Sequence, residues 1–137
     1  MARVDDDFAK LKGERAVLGQ TVVQTPLPSG SRLIEVRDYM LPEGWDHRHA
    51  TLLFLAPPAF PAAQPDCFWV EPVGEGAPRD VRFGGGRTPQ NSNDSNQIPE
   101  VGQRGTWFSW HLQSWDPNIH TLSSFFRVIE QRLNPAR

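Results

Sequence analysis

The sequence predicts an α+β domain in which two helices pack on one antiparallel sheet. Three observations lead to this prediction: a short amphipathic stretch near the start of the chain, four separated runs of strand-forming residues, and a long amphipathic stretch near its end. The chain has 137 residues, which suits one domain better than two. We therefore expect a single domain over 1–137.

The first helix is predicted to begin near Val4 and to end at Gly13. Phe8 and Leu11 lie three residues apart, and Val4 lies one turn before Phe8, so the three side chains share one helix face. The aspartates Asp5–Asp7 fall in the first turn, where the helix dipole favours negative charge.

The four strands are predicted from short runs rich in β-branched, aliphatic or aromatic residues. Turns containing proline and glycine separate the runs, and the short gaps favour a four-stranded antiparallel meander. The third run is the most apolar and should be central in the sheet. The runs are Gln20–Thr25, Arg32–Arg37, Thr51–Ala56 and Cys67–Val70.

Residues 72–106 show no periodicity and predict a long flexible loop. Beyond it, apolar residues recur at helical spacing from Ile119 to Leu133, which predicts the last helix. Asn118 or Thr121 is expected to cap the N-terminus of this helix.

Composition and charge exclude several classes of protein. The net charge is −2, so the basic excess of most nucleic-acid-binding proteins is missing. No apolar run approaches the roughly 20 residues needed to cross a membrane. Cys67 is the single cysteine, which excludes an internal disulfide and favours a reducing, cytoplasmic location. The spacing of Asp46, His47 and His49 is a weak metal signal, and we expect neither a metal nor a cofactor.

Two side chains are candidate nucleophiles. Cys67 is the only thiol, but it begins an apolar strand, where a free cysteine acts as a small hydrophobe. Ser109 and His111 lie two residues apart, so an extended chain projects both to the same side. Imidazole is a common base for a hydroxyl nucleophile, and the alternative is a surface serine beside a histidine bonded to the backbone.

The order of the elements resembles the ubiquitin-conjugating enzyme (UBC) fold. A proline-rich turn around Phe60-Pro61 follows the third strand, and Trp115-Asp116-Pro117 opens the last helix where that family usually has Trp-Ser-Pro. More narrowly, the chain looks like the bacterial branch called prokaryotic family E. The shared motifs are Tyr-x-Leu-Pro-x-Gly at Tyr39–Gly44, Pro-Asp-x-Phe-Trp at Pro65–Trp69, and a tryptophan-rich segment approximated at 107–117.

This resemblance implies a protein that accepts an activated ubiquitin-like protein and passes it to a target by acyl transfer. The implied partners are the ubiquitin-like protein, an activating enzyme and a deconjugating peptidase, in bacterial operons linked to modification and antiphage defence. Phe60, Pro61, Trp115 and Pro117 correspond to the two loops that dock partners in that family, although both aromatic residues are equally compatible with a core position. We expect no nucleic acid and no membrane as partners.

The chain departs from the family at its chemistry. The His-Pro-Asn triplet that precedes the active cysteine is absent, and counting back eight residues from Trp115 reaches Trp107, not a cysteine. The nucleophile is therefore Ser109 with His111, Cys67, or none. Without a nucleophile, the protein is a non-catalytic UBC-like adaptor or subunit that binds the ubiquitin-like protein or its activating enzyme.

Overall fold

A computed structural model describes residues 3–137. Met1 and Ala2, the first two residues of the domain expected over 1–137, lie outside that range. Within it the chain forms two helices and six strands. Their bounds are α1 Arg3–Ala16, β1 Thr21–Pro26, β2 Arg32–Met40, β3 His49–Ala56, β4 Phe68–Pro72, β5 Ser92–Asn93, β6 Thr106–Phe108 and α2 Leu122–Leu133.

The strands form one antiparallel sheet in the order β1-β2-β3-β4-β6-β5. The first four follow one another as a meander, and β3 lies between β2 and β4, as its apolar sequence predicts. The predicted number of four strands is wrong, because β6 pairs with β4 and β5 pairs with β6. These added strands have three and two residues, too few for the alternation of side chains to be recognised in a sequence.

Both helices differ from their predicted bounds at one end. The helix α1 continues past Gly13 to Ala16, because a glycine inside a helix costs only about 1 kcal/mol, and it ends before Gly19, whose φ is 77°. The helix α2 begins at Leu122, and its N-cap is Thr121, one of the two residues predicted for that position. Ile119 therefore lies outside the helix and is 69% exposed. No helix within 3–137 is long and apolar enough to cross a membrane.

The sheet separates two apolar clusters. The main core lies on the inner face, where Leu11 of α1 and Phe125 of α2 pack with the sheet residues Phe54, Phe68 and Phe108. A smaller cluster lies on the outer face and is formed by Leu33, Leu53, Trp69 and Ile98. Ile98 belongs to segment 72–106, so part of that segment covers the outer face of the sheet.

An arginine fastens this cover to the sheet. Arg104 donates to Glu71 of β4 through Nε (3.1 Å) and Nη2 (2.8 Å), and to Glu35 of β2 through Nη1 (2.8 Å). Glu35 is only 4% exposed, and the two carboxylates raise the pKa of Arg104. Trp69 adds a hydrogen bond from its indole N–H to the carbonyl of Asn96 (2.9 Å). The flexibility expected for 72–106 stays a prediction.

Candidate functional site

The predicted nucleophiles flank one end of the ladder between β4 and β6. Phe68 pairs with Phe108, and Trp69 pairs with Trp107. Cys67 directly precedes Phe68 and Ser109 directly follows Phe108, so both residues flank the same end of this ladder. We call residues 66–67 and 109–111 the β4–β6 end.

Ser109 is exposed, and a hydrogen bond from its backbone N–H fixes its position. Its N–H donates to the carbonyl of Asn91, directly before β5 (2.9 Å). His111 faces the other strand, because its Nδ1 lies 3.8 Å from Oδ1 of Asp66. The side chains of His111 and Asp66 are 44% and 90% exposed, so this ion pair is weak. Within residues 3–137 the side chains of Ser109 and His111 share no hydrogen bond.

An open cleft of about 370 Å³ lies beside Ser109 and His111. One wall is the segment 109–113, and the other wall belongs to α2. The lining residues are Ser109, Trp110, His111, Leu112, Gln113, Val128 and Gln131. An extended peptide can therefore approach the Ser109 hydroxyl and the imidazole without first displacing a covering element.

Cys67 lies at the same end of the ladder but in a different environment. It is half-buried and packs with Trp69 and Trp107 on the outer face. Burial raises the pKa of the Cys67 thiol, the Asp66 carboxylate raises it further, and a hydrogen bond with Trp107 lowers it in part. Because the thiolate is the nucleophile, a raised pKa makes Cys67 less reactive than an ordinary cysteine.

The proline-rich turn and the tryptophan of the last predicted motif form one edge of the molecule. Trp115 donates its indole N–H to the carbonyl of Pro61 (2.7 Å), and its ring lies 6.0 Å from that of Phe60. Phe60 is buried in the main core, whereas Pro61, Trp115 and Pro117 are half-buried. The Phe60–Pro61 peptide bond is cis.

Ile119 lies next to this edge, and the sequence analysis does not nominate it for the site. Its spacing matches the helical stripe, so it is predicted to be a core residue on the last helix. The structure instead places it before α2, where it is the most exposed large apolar residue of the turn that begins at Trp115.

The glycine run at 84–86 holds the carboxylate that the sequence nominated as a weak metal ligand. Asp46 accepts the N–H groups of Gly85 (2.8 Å) and Gly86 (2.6 Å), and these hydrogen bonds lower the pKa of Asp46. Within 3–137 no group of three or more His, Cys, Asp or Glu side chains is arranged to hold a metal ion.

Arg132 is the main residue that sequence reasoning misses. An arginine in the last turn of an amphipathic helix is normally exposed, but Arg132 is 1% exposed. The one signal in the sequence is its spacing, three residues from Ile129 and seven from Phe125, which places it at the border of the apolar stripe.

An antiparallel meander with helices on its inner face, and a last helix preceded by a Trp-x-Pro turn, place the chain in the ubiquitin-conjugating-like class. The family model described as Prokaryotic E2 family E matches residues 15–136, and the chain belongs to this family. The resemblance in the sequence is thereby confirmed. The family indicates a ubiquitin-conjugating-like role and, in general, interaction with a ubiquitin-like protein and an activating enzyme.

The match of the family model covers both halves of the β4–β6 end and all of α2. No curated protein and no solved structure matches the chain.

Proposed function

We propose that this protein is a bacterial acyl transferase that receives an activated ubiquitin-like protein from its activating enzyme and passes it to a target. The observation that carries the proposal is the open cleft between segment 109–113 and α2, in a chain of this family. Ser109 and His111 line the cleft, so a hydroxyl and a base lie beside the path of an incoming peptide.

The proposed first step is attack of the Ser109 hydroxyl oxygen on the carbonyl carbon of a thioester between the ubiquitin-like protein and the activating enzyme. An oxyester forms, the C–S bond breaks, and the serine proton passes through His111 to the departing thiolate. A target amine then attacks the oxyester, and the proton lost by the amine returns to Ser109. Asp66 faces Nδ1 of His111, which leaves Nε2 for proton transfer.

The geometry of the free protein is compatible with this step. Hydrogen bonds between catalytic groups are often long in free enzymes and shorten only in the complex. His111 is exposed and weakly paired, so turning its ring from Asp66 towards Ser109 breaks no strong interaction.

A specific observation favours the adaptor as a second candidate. The only thiol has a raised pKa, and the position where the family carries its cysteine holds Trp107. An adaptor would use the edge around Trp115 to bind the activating enzyme or the ubiquitin-like protein without a covalent bond. Both candidate functions place the protein in the cytoplasm. We also propose that a deconjugating peptidase acts in the same defence pathway.

The test is a charging assay with the activating enzyme, the ubiquitin-like protein and ATP, resolved on a denaturing gel. The variants are Ser109→Ala, Cys67→Ala and the matched control Ser114→Ala, an exposed serine of the same segment. We expect an adduct that survives reductant, is cleaved by mild alkali, and is lost only in Ser109→Ala.

Other results decide between the alternatives. An adduct that reductant cleaves and Cys67→Ala abolishes would assign the reaction to the thiol. Binding of the activating enzyme or the ubiquitin-like protein without any adduct would contradict the transferase and support the adaptor.

A further inference from the structure

A buried arginine that pairs with no Asp or Glu side chain of residues 3–137 lies behind the candidate site. The Nη2 of Arg132 donates to the carbonyl of Gln90 (2.6 Å) and to the main-chain oxygen of Arg137 (2.9 Å). Its Nη1 has no hydrogen-bond partner within 3–137. Burial and the neighbouring charge of Arg137 lower the pKa of Arg132 to about 10, so the guanidinium is charged at neutral pH.

Two aromatic rings also contact this cation. The Cζ of Arg132 lies 4.9 Å from the ring centre of Phe108 and 5.6 Å from that of Trp110. The guanidinium of Arg137 also lies over Trp110, at 5.6 Å. Since a cation is attracted to the faces of aromatic rings, the orientation of both rings is coupled to the position of Arg132.

The groups that Arg132 contacts are those that hold Ser109. Phe108 and Trp110 are its two neighbours in the chain. Gln90 precedes Asn91, whose carbonyl accepts the Ser109 N–H (2.9 Å). Arg132 therefore contacts both the rings that flank Ser109 and the carbonyl of the residue before Asn91.

We infer that Arg132 is a positioning residue of the Ser109–His111 segment. It does not line the cleft and does not touch the reacting atoms. It fixes the flanking rings and the Gln90 carbonyl, so the Ser109 hydroxyl is presented to the cleft in one orientation. This inference rests on the proposed function, because the orientation of Ser109 matters only if the hydroxyl reacts with a peptide bound in the cleft.

The test compares Arg132→Met with Arg15→Met. Arg15 is a matched control, because its Cζ lies 4.6 Å from the ring centre of Phe126, a residue of the same helix α2, but it does not contact Ser109. We expect Arg132→Met to lower the maximal rate of adduct formation by about tenfold to a hundredfold, as for a misplaced reactive group. Its KM for the charged activating enzyme should stay within about twofold, and Arg15→Met should change neither value by more than about twofold.

A second measurement separates failure of this inference from failure of the proposed function. Amide and indole NMR resonances of Ser109, Trp110 and Asn91 should shift in Arg132→Met and stay unchanged in Arg15→Met. This result would support the inference even if the wild-type protein formed no adduct. If Arg132→Met leaves these resonances unchanged, or lowers the rate only as much as Arg15→Met, the inference is overturned.

The conservative variant Arg132→Lys keeps a cation among the rings but loses the planar guanidinium. We expect its maximal rate to lie between those of the wild type and Arg132→Met. A rate no higher than that of Arg132→Met, with both proteins folded, would contradict a role for the cation in positioning the rings.

Discussion

At the residue scale, the contact between α1 and α2 buries a carboxylate. Asp7 is 7% exposed, accepts the N–H of Leu122 at the start of α2, and has no hydrogen bond to its Oδ2 among the described residues. The nearest cation is Arg3, whose Nε lies 3.6 Å from that oxygen. Burial raises the pKa of Asp7 more than Arg3 lowers it. The charged form of Asp7 is therefore less favourable in the folded protein than in the unfolded chain.

We predict that Asp7→Asn raises the Tm by a few degrees at pH 7. Because the pKa of Asp7 is raised in the folded state, the folded protein binds more protons than the unfolded chain between the ordinary pKa of 3.8 and the raised one. Its contribution to the free energy of unfolding falls as the pH rises through that window. The gain should therefore shrink below pH 4 in thermal scans. The control Asp6→Asn, at an exposed position of the same helix, should give no gain.

A glycine at the start of β6 gives the second prediction at this scale. Gly105 has a φ of 65°, and a Cβ built on it would lie 2.3 Å from the carbonyl oxygen of Val70. Gly105→Ala should therefore lower the free energy of unfolding by roughly 3 kcal/mol or prevent folding. The matched control is Gly13→Ala in α1, because nothing lies within 4 Å of a Cβ built on Gly13. This variant should raise the free energy of unfolding in urea by about 1 kcal/mol. Equal stability of Gly105→Ala and wild type would contradict the packing of β4 against β6.

At the element scale, the sequence predicts the long elements and not the short ones. The first four strands are visible in the sequence as runs of β-branched, aliphatic or aromatic residues, and α2 is visible because its buried residues recur at helical spacing. The strands β5 and β6 depend on pairing with residues distant in the chain, and Phe108 is identified as a strand residue only by its partner Phe68. Ile119 is an error in the other direction, because the sequence assigns it to a helix that the structure does not extend so far. Thr121 is the N-cap of α2, so Ile119 lies in the preceding turn although its spacing is helical.

The cover on the outer face gives a prediction for an element. Arg104→Met removes the main partner of Glu35, and a buried carboxylate without its partner costs about 3 kcal/mol. We therefore expect a loss of about that size in urea unfolding, together with faster hydrogen exchange in residues 94–104. Arg79→Met should change neither measurement, because Arg79 forms an exposed pair with Asp80. Unchanged exchange in Arg104→Met would mean that the ion pairs do not hold the cover in place.

At the scale of the whole molecule, the candidate site depends on register and topology. The tryptophan-rich segment and the Ser109–His111 pair are visible in the sequence. That Cys67 and Ser109 flank the same end of one strand pair follows only from the pairing of β4 with β6. That α2 forms the second wall of the cleft, with Arg132 behind it, follows only from how the helix packs on the sheet.

The edge around Trp115 gives the last prediction. Ile119 is 69% exposed beside this edge, so it stabilises the fold little and is available to a partner. Ile119→Asp should weaken binding of the activating enzyme about tenfold, as expected for an apolar contact near the centre of an interface, and leave the Tm unchanged. Val17→Asp is the matched control, because Val17 is an apolar residue that is 85% exposed in the turn between α1 and β1. Isothermal titration of both variants measures the difference, and equal affinities would show that the activating enzyme binds elsewhere on the molecule.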